Sequence, residues 1–371
     1  MTKVSITTFN CGKQFPFEDQ HGLDIVIQEL VPDGQNAQDI YGFGFQELTK
    51  IWEGSFEDTT VSYRKLLSSK IKQHLNDIFP NERYEVASTK NIGALFLILV
   101  VNERTFDINN ILSNHCKCGY FGSNLKGSVF TCANLHNKRT SNNETFTFIS
   151  CHLTANEGDV NLQYRINDIN KIMSTCKRDL DVMDYQNGHI FFFGDLNFRV
   201  NSWLKTSVYN EDSISSLLNK NDELNMVRKE GLVLKEFTEG TISFPPTYKY
   251  TLSELNNYND KRIPSWCDRI LFKIYPKNLP PKIVSYNSKR RNTGLSFTDH
   301  EPVNLILEVP EVPSKKDFRN VTILSRVKTF EEMLGEAADY MFGYIGWLLY
   351  KKAHIWLILV IVLLFLLYKI I

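Results

Sequence analysis

The sequence predicts an α/β domain of two packed sheets with helices outside, followed by an apolar helix at the C-terminus. Three observations predict it. Short apolar runs end abruptly in polar residues, with helical periodicities between several of them. The strand-like runs come in sequential pairs as well as alternating with helices, which argues against a purely parallel, doubly wound sheet. Residues 355–371 read IWLILVIVLLFLLYKII, with the single charge Lys369.

The strand-like runs fall at residues 4–9, 40–46, 94–101, 128–135, 145–151, 190–193, 269–274 and 303–309. The opening MTKVSITTFN alternates like a strand and carries no apolar secretory core. Residues 63–79 place apolar side chains at 63, 66, 67, 71, 75, 78 and 79, one face of a helix. Residues 159–176 and 213–227 behave alike. Pro310 and Pro313 then mark a boundary. Helical spacing resumes over 326–350, growing aromatic at Tyr340, Phe342, Tyr344, Trp347 and Tyr350. We therefore expect a globular domain over 1–309 and a connector over 310–350. The connector's helix either lies on a bilayer or packs on the domain. Residues 351–371 are expected to form a tail anchor whose apolar stretch, 355–371, spans roughly 25 Å, flanked on its N-terminal side by Lys351 and Lys352, with Lys369 snorkelling to the far side. Such a tail inserts after synthesis and leaves the domain in the cytosol.

Lysine and arginine number 42, as do aspartate and glutamate, so net charge gives no global signal for a polyanion. An anionic substrate must be met by a local cluster. Seven scattered cysteines make a poor disulfide framework and read as free thiols in a reducing compartment. The close pair, Cys116 and Cys118, reads as structural thiols.

The stretch FFFGDLNFRV, residues 191–200, is the most informative. In an extended chain Asp195, Asn197 and Arg199 share one face. A carboxylate beside an amide can deprotonate and orient a water, and Gly194 leaves room for a close backbone or substrate. The bland alternative is a surface turn after a core strand. Other strand ends carry similar groups: Asn10, Glu47, His152, and later Asp299 and His300. FPPTYKY brings Tyr248 and Lys249, and KRIPSWCDRIL brings Lys261, Arg262, Asp268 and Arg269. Carboxylates and amides are hard oxygen ligands, suited to Mg²⁺ rather than zinc. Neighbouring lysines and arginines suit a phosphate ester. Together they describe metal-assisted phosphoester hydrolysis.

GDLNFR, PSWCDRIL and TDHEPV, in order and spacing across about residues 4–309, resemble the signatures of the inositol polyphosphate 5-phosphatases. That family is a branch of the DNase-I-like metal-dependent phosphoesterases. With its apolar tail the chain is most similar to tail-anchored members. The resemblance implies a DNase-I-like four-layer sandwich of two packed mixed sheets flanked by helices, plus a C-terminal transmembrane helix. It implies Mg²⁺-dependent hydrolysis of the 5-phosphate of phosphatidylinositol 4,5-bisphosphate, giving phosphatidylinositol 4-phosphate. The enzyme would be a monomer that binds a phosphoinositide lipid and no nucleic acid, anchored in the endoplasmic reticulum membrane by one C-terminal span.

Residue by residue, the resemblance puts Asn10 and Glu47 on the Mg²⁺ side, with Asp299 completing the metal–water network. It makes Asp195 the base, Asn197 its water-orienting partner, and His300 the stabiliser of the scissile phosphate, held by Asp268. His152 would contact the 5-phosphate, Tyr248, Lys249 and Arg262 the 4-phosphate, and Lys126 a phosphate from the opposite wall. Arg199 and Arg165 would order the site. Arg165, Asp168 and Arg269 also fit salt bridges inside the fold, and Lys261 a solvated neighbour of Arg262. Three positions depart from the family pattern: Gly12 where a second asparagine is common, Leu125 before Lys126, and Glu301 after His300. A nuclease of the same superfamily and a non-catalytic membrane tether on a phosphatase fold are the rival readings. Neutral charge and the tail speak against the first, and the intact acid, amide and histidine set against the second.

Overall fold

A run such as Phe191, Phe192 and Phe193 is apolar on both faces, so it belongs in a sheet covered on both sides. The computed structural model, which describes residues 1–32, 34–202, 209–252, 254–314 and 329–370, places it there. Phe191 and Phe193 enter the core between two sheets, and Phe192 turns outward against a helix layer.

The chain runs through β1 (Thr2–Asn10), α1 (Gln20–Leu30), β2 (Ile40–Gln46), α2 (Ile51–Gly54), α3 (Glu57–Ile78), β3 (Tyr84–Ile92) and β4 (Leu95–Asn102). Next come β5 (Phe106–Lys117), β6 (Gly127–Asn137), β7 (Asn142–His152), α4 (Asp159–Leu180) and β8 (His189–Asp195). After α5 (Glu211–Lys220), α6 (Glu223–Lys229) and β9 (Thr238–Glu239) follow β10 (Asp268–Lys273), β11 (Lys282–Ser288) and β12 (Val303–Val309). Two helices close the described chain, α7 (Phe330–Tyr350) and α8 (Ala353–Ile370).

One sheet has the order β11-β12-β1-β2-β4-β3 and the other β5-β6-β7-β8-β10-β9. Both are antiparallel apart from one parallel pair each, β1 with β2 and β7 with β8. Val4, Ile6, Leu97, Leu99, Phe148, Phe191 and Leu305 fill the space between the sheets. α1 and α3 cover the first sheet's outer face with Leu23, Ile27, Leu67 and Ile71. α4 and α6 cover the second with Ile166, Ile169, Ile172 and Leu224. The expected four layers, helix, sheet, sheet, helix, are present.

All eight expected strands form. β3, β5, β9, β11, α1 and α2 were not expected. β5 reads FDINNILSNHCK, β3 lies half-buried along a sheet edge, and β11 is largely exposed, so none shows a clean apolar run. The single helix expected over 213–227 is two, because Asp222 caps α6 by accepting from the Asn225 N–H at 2.9 Å. Of the helix expected over 326–350, residues 326–328 lie outside the described residues and the rest is α7. One face of α7 packs on the domain through Gly335, Ala338, Asp339 and Gly343, while Tyr340, Met341 and Ile345 stay exposed. Among the described residues no helix is long and apolar enough to cross a membrane. Ile371 and the side chains of His354, Leu357, Tyr368 and Ile370 lie outside that description.

Where β7 meets β1, Glu144 is fully buried, accepting from Asn137 Nδ2 at 2.6 Å and Thr2 Oγ1 at 3.3 Å. Burial pushes its carboxyl up from 4.5 to about 7. Between those values the folded chain binds more protons than the unfolded one, so this group lowers stability as pH rises through that window. Glu144→Gln should therefore gain on the wild type by up to about 3 kcal/mol at pH 8 relative to pH 4, measured by denaturant unfolding at both pH values.

Candidate active site

The functional side chains gather because both parallel pairs end at one edge. Across the second sheet Gly127 pairs with His152, His152 with Asp195, and Asp195 with Asp268. Lys126 directly precedes that row. In the first sheet Asn10 pairs with Gln46, just before Glu47. His300 lies ahead of β12, which runs antiparallel to β1 and so starts at the same edge. Two glycines permit this crowding. A Cβ on Gly194 (φ +144°) would lie 2.0 Å from the Cys151 carbonyl, and one on Gly127 (φ +140°) 2.0 Å from that of Cys116. Gly194 thus makes the close backbone approach expected of it.

Asp195 is clamped on both oxygens. Asn10 Nδ2 donates to Oδ2 at 2.8 Å, and the Asn197 N–H to Oδ1 at 3.0 Å. Asn197 is held in turn: its Nδ2 donates to the Leu153 carbonyl at 3.1 Å and its Oδ1 accepts from Arg199 NH2 at 2.5 Å. Arg199 lies 4.7 Å from the Tyr248 ring centroid, and that ring packs 4.5 Å from the His300 imidazole. Asp268 is buried behind His300, with its Oδ2 2.9 Å from Nδ1 and accepting from Thr247 Oγ1 at 2.7 Å. His152 Nε2 lies 3.4 Å from Asp195 and 3.9 Å from Glu47, and contacts Lys126 Nζ. Lys13 pairs with Glu47 at 3.2 Å, and Lys249 pairs with Asp299.

These contacts tune the groups in opposite senses. Burial opposes ionisation of Asp195, but the His152 hydrogen bond and the charges of His300, His152 and Lys126 outweigh it and hold the carboxyl well below its usual range. Burial likewise opposes Glu47, whose carboxyl is nonetheless lowered by His152, Lys13 and Lys126. Burial brings Lys126 down to about 8, and burial and then Lys126 lower His152. His300 goes the other way: burial disfavours its charge, yet Asp268 first, then Asp195 and Asp299, raise it to about 9.

A cleft of about 310 Å³ opens on this edge. Ten of the twelve expected site residues line it: Asn10, Glu47, Lys126, His152, Asp195, Asn197, Tyr248, Lys249, Asp299 and His300. Asp268 stands behind His300. Arg262 does not line the cleft; its guanidinium is tied to Glu157 at 3.3 Å and Asn156 at 3.3 Å. Lys13, Gln14, Asn156 and Thr298 line it without having been expected. Loop residues outside the apolar-run pattern gave them no signal. Lys13, Glu47, Asn156 and Asn197 all have positive φ, between 47° and 74°, so backbone strain concentrates around the cleft.

The arginines outside the cleft are scaffold. Arg165 NH2 meets Glu223 at 2.7 Å, and the same carboxylate accepts from the Arg199 N–H at 2.9 Å. Asp168 accepts from Thr154 N and Oγ1. Arg269 is fully buried between Asp222 and Glu239. Lys261 is exposed. Gly12, in place of a second asparagine, donates its N–H to Asn10 Oδ1 at 3.0 Å. Glu301 is buried but turned away from His300, bound to Ser288 Oγ at 2.9 Å and Arg290 at 3.3 Å. Cys116 and Cys118 are free thiols 4.0 Å apart.

Among the described residues no group of three His, Cys, Asp or Glu side chains converges as a ready metal cage. The donors at the edge, Glu47, Asp195 and the Asn10 amide, are nonetheless hard oxygens beside buried charge. One or two carboxylates with the remaining positions left to water and substrate phosphate fit a small divalent cation.

The profile described as Endonuclease/Exonuclease/phosphatase family 2 matches residues 7–306. The type IV inositol polyphosphate 5-phosphatase 9 of Arabidopsis thaliana is 28% identical over 377 residues, spanning 91% of this chain and 85% of its own length. The phosphatidylinositol 3,4,5-trisphosphate 5-phosphatase 2 of Homo sapiens is 33% identical over 330 residues, spanning 83% of this chain and 24% of its own. Among solved structures, the inositol polyphosphate 5-phosphatase domain of a synaptojanin, determined with inositol (1,4)-bisphosphate and a calcium ion, superposes with a TM-score of 0.65. It covers 95% of this chain and 91% of its own at 22% identity, a likeness of fold.

Proposed function

The chain belongs to the inositol polyphosphate 5-phosphatases of the endonuclease/exonuclease/phosphatase family, which are phosphoric monoester hydrolases, and from this we propose that it removes the 5-phosphate of phosphatidylinositol 4,5-bisphosphate by direct water attack. One observation carries the proposal: a buried carboxylate clamped by Asn10 and Asn197 shares a cleft with an imidazole clamped by Asp268.

In this proposal Asp195 is the base. It stays ionised and its donors hold it still, so an incoming water meets a proton acceptor at a fixed spot. Asn197, held by Arg199, orients that water. His300 keeps Nδ1 on Asp268, which leaves Nε2 to donate to the scissile phosphate as charge develops. His152 contacts the 5-phosphate, and Lys126 meets a phosphate from the opposite wall. Tyr248 and Lys249 in the cleft, with Arg262 beyond it, take the 4-phosphate. Glu47 and Asn10 would hold Mg²⁺, with Asp299 completing the network. The ion supplies Lewis-acid polarisation of the phosphate oxygens when bound.

The place of action is part of the proposal. In α8, Ile355, Trp356 and Ile358 to Leu367 are each 46–70% exposed. Nothing in the described chain covers that surface, and lipid is the cover that suits an all-round apolar helix. We assign the tail to the endoplasmic reticulum membrane, with the domain in the cytosol.

Phosphate release from vesicles of phosphatidylinositol 4,5-bisphosphate, from the 3,4,5-trisphosphate lipid and from soluble inositol phosphates, beside cleavage of abasic DNA, tests the chemistry. The 4,5-bisphosphate lipid should turn over with Mg²⁺ and not with chelator, and Asp195→Ala should lower kcat by about 10²- to 10⁴-fold. Preferential cleavage of abasic DNA, or turnover that survives chelation, overturns the reading. For the anchor, deleting residues 353–371 should move the protein from the alkali-resistant membrane fraction to the supernatant. An unchanged distribution would remove the tail from the proposal.

A further inference from the structure

α7 does more than lead towards the tail, because it touches the segments that carry two residues of the cleft. The loop from Cys118 to Lys126 ends at Lys126, and its ends are joined by the Cys118 N–H donating to the Lys126 carbonyl at 2.8 Å. Asp339 of α7 reaches into this loop. Its Oδ1 accepts from the Asn124 N–H at 2.6 Å and its Oδ2 pairs with Lys117 at 2.6 Å, with only 7% of the residue exposed. Gly335, one turn earlier, lies against the same loop: a Cβ there would sit 2.1 Å from the Gly122 carbonyl.

The far end of α7 holds the other wall. Tyr350 stacks on Trp52 at 5.2 Å and under Lys50 Nζ at 4.5 Å, and Tyr344 meets Phe56 edge-on at 5.4 Å. These residues follow Glu47 closely in the chain. The two walls also touch each other. Asn124 packs against Gly93, and the Leu48 N–H donates to the neighbouring Ala94 carbonyl at 3.0 Å. A chain of contacts thus runs from Asp339 through Asn124 to Lys126 on one side and to Glu47 on the other.

We propose that α7 is a working part of the active site, with Asp339 the positioning residue that fixes Lys126 against His152, so that turnover depends on α7 being docked even where no membrane is involved. The inference rests on the phosphatase reading above. An amide whose acceptor is lost leaves its loop free to move, and a displacement of about 1 Å at a substrate-contacting group lowers turnover by as much as ~10²-fold.

The full chain in detergent, given monomeric dioctanoyl phosphatidylinositol 4,5-bisphosphate, separates this from any effect of membrane recruitment. Asp339→Ala and Gly335→Leu should each lower kcat/KM by about tenfold or more. Asp339→Asn, which keeps an acceptor for the Asn124 N–H, should recover to within about threefold of wild type. Tyr340→Ala, on the exposed face of α7, should change nothing. In parallel, hydrogen exchange should show residues 118–127 losing protection in the first two variants while the β7 and β8 peptides keep theirs. Activity within about twofold of wild type in both variants, or undiminished protection at 118–127, overturns the inference. A wild type inactive on this lipid sinks the substrate reading instead, and the exchange measurement alone then decides the role of Asp339.

Discussion

Everything at the cleft depends on one row of the second sheet's ladder, in which Gly127, His152, Asp195 and Asp268 stand opposite one another on four adjacent strands. Side chains alternate along a strand, so a slip of one residue on β8 would send Asp195 to the other face and swap Phe192 for its neighbours in the core. The phenylalanine run is buried on both faces, Phe191 and Phe193 between the sheets and Phe192 outside them, so by itself it would accept a slip and leaves the register to the residues at its end. Gly194 supplies the constraint, since any Cβ at that position would meet the Cys151 carbonyl. Close backbone packing at Gly194, where β8 meets β7, therefore sets the position of the charged groups beyond it.

The charges themselves are unfavourable to bury. An isolated buried ion is disfavoured by several kcal/mol, so each must be paired. Here pairing is done in two shells with different purposes. Behind the edge, Glu223 joins Arg165 to the Arg199 N–H, and Arg269 sits between Asp222 and Glu239, fixing the chain after β8 and the start of β10. Inside the cleft the pairing is left incomplete. Among the described residues Arg199 Nε and NH1 have no hydrogen-bond partner there, one oxygen of Asp268 has none behind His300, and Glu47 and Asn197 hold positive φ. Such under-satisfied, strained positions persist where the surroundings over-determine them, and they mark a surface built to receive something. A neutral chain can thus present strong local fields to an anionic ligand without a basic exterior.

Much of this was legible in the sequence, and the reasons for the rest are physical. FFFGD announces a two-face-buried strand ending at a carboxylate, and Asn10, Glu47, His152 and His300 announce themselves by ending or preceding strands. β3, β5 and β11 were hidden because edge and half-exposed strands do not need an apolar face; β5 carries Asn109, Asn110, Ser113 and Asn114 within one strand. The break between α5 and α6 was hidden because Asp222 serves at once as a helix cap and as the partner of Arg269, and only the second use needs three-dimensional neighbours. The direction of Glu301 could not be read at all. Its burial beside His300 would suggest a charge on the imidazole, yet Arg290 and Ser288 draw it the other way.

The hardest feature to foresee was the docking of α7. Pro310 and Pro313 suggest that the domain ends there, and an apolar pattern growing aromatic suggests a helix seeking lipid. What brings α7 back to the domain is a set of small residues, Gly335, Gly343 and Gly346, lying against Gly122, Ser55 and Trp52. Glycines add almost nothing to a hydrophobic periodicity, so the face that docks is silent in the sequence while the exposed aromatic face is loud. Backbones that approach through glycines admit short polar contacts, and the buried Asp339 carboxylate uses that closeness to reach the Asn124 N–H. With α7 docked, the position of the domain relative to the start of the tail is set by packing and not by the statistics of a flexible linker. If the tail sits in a bilayer, that same packing aims the cleft.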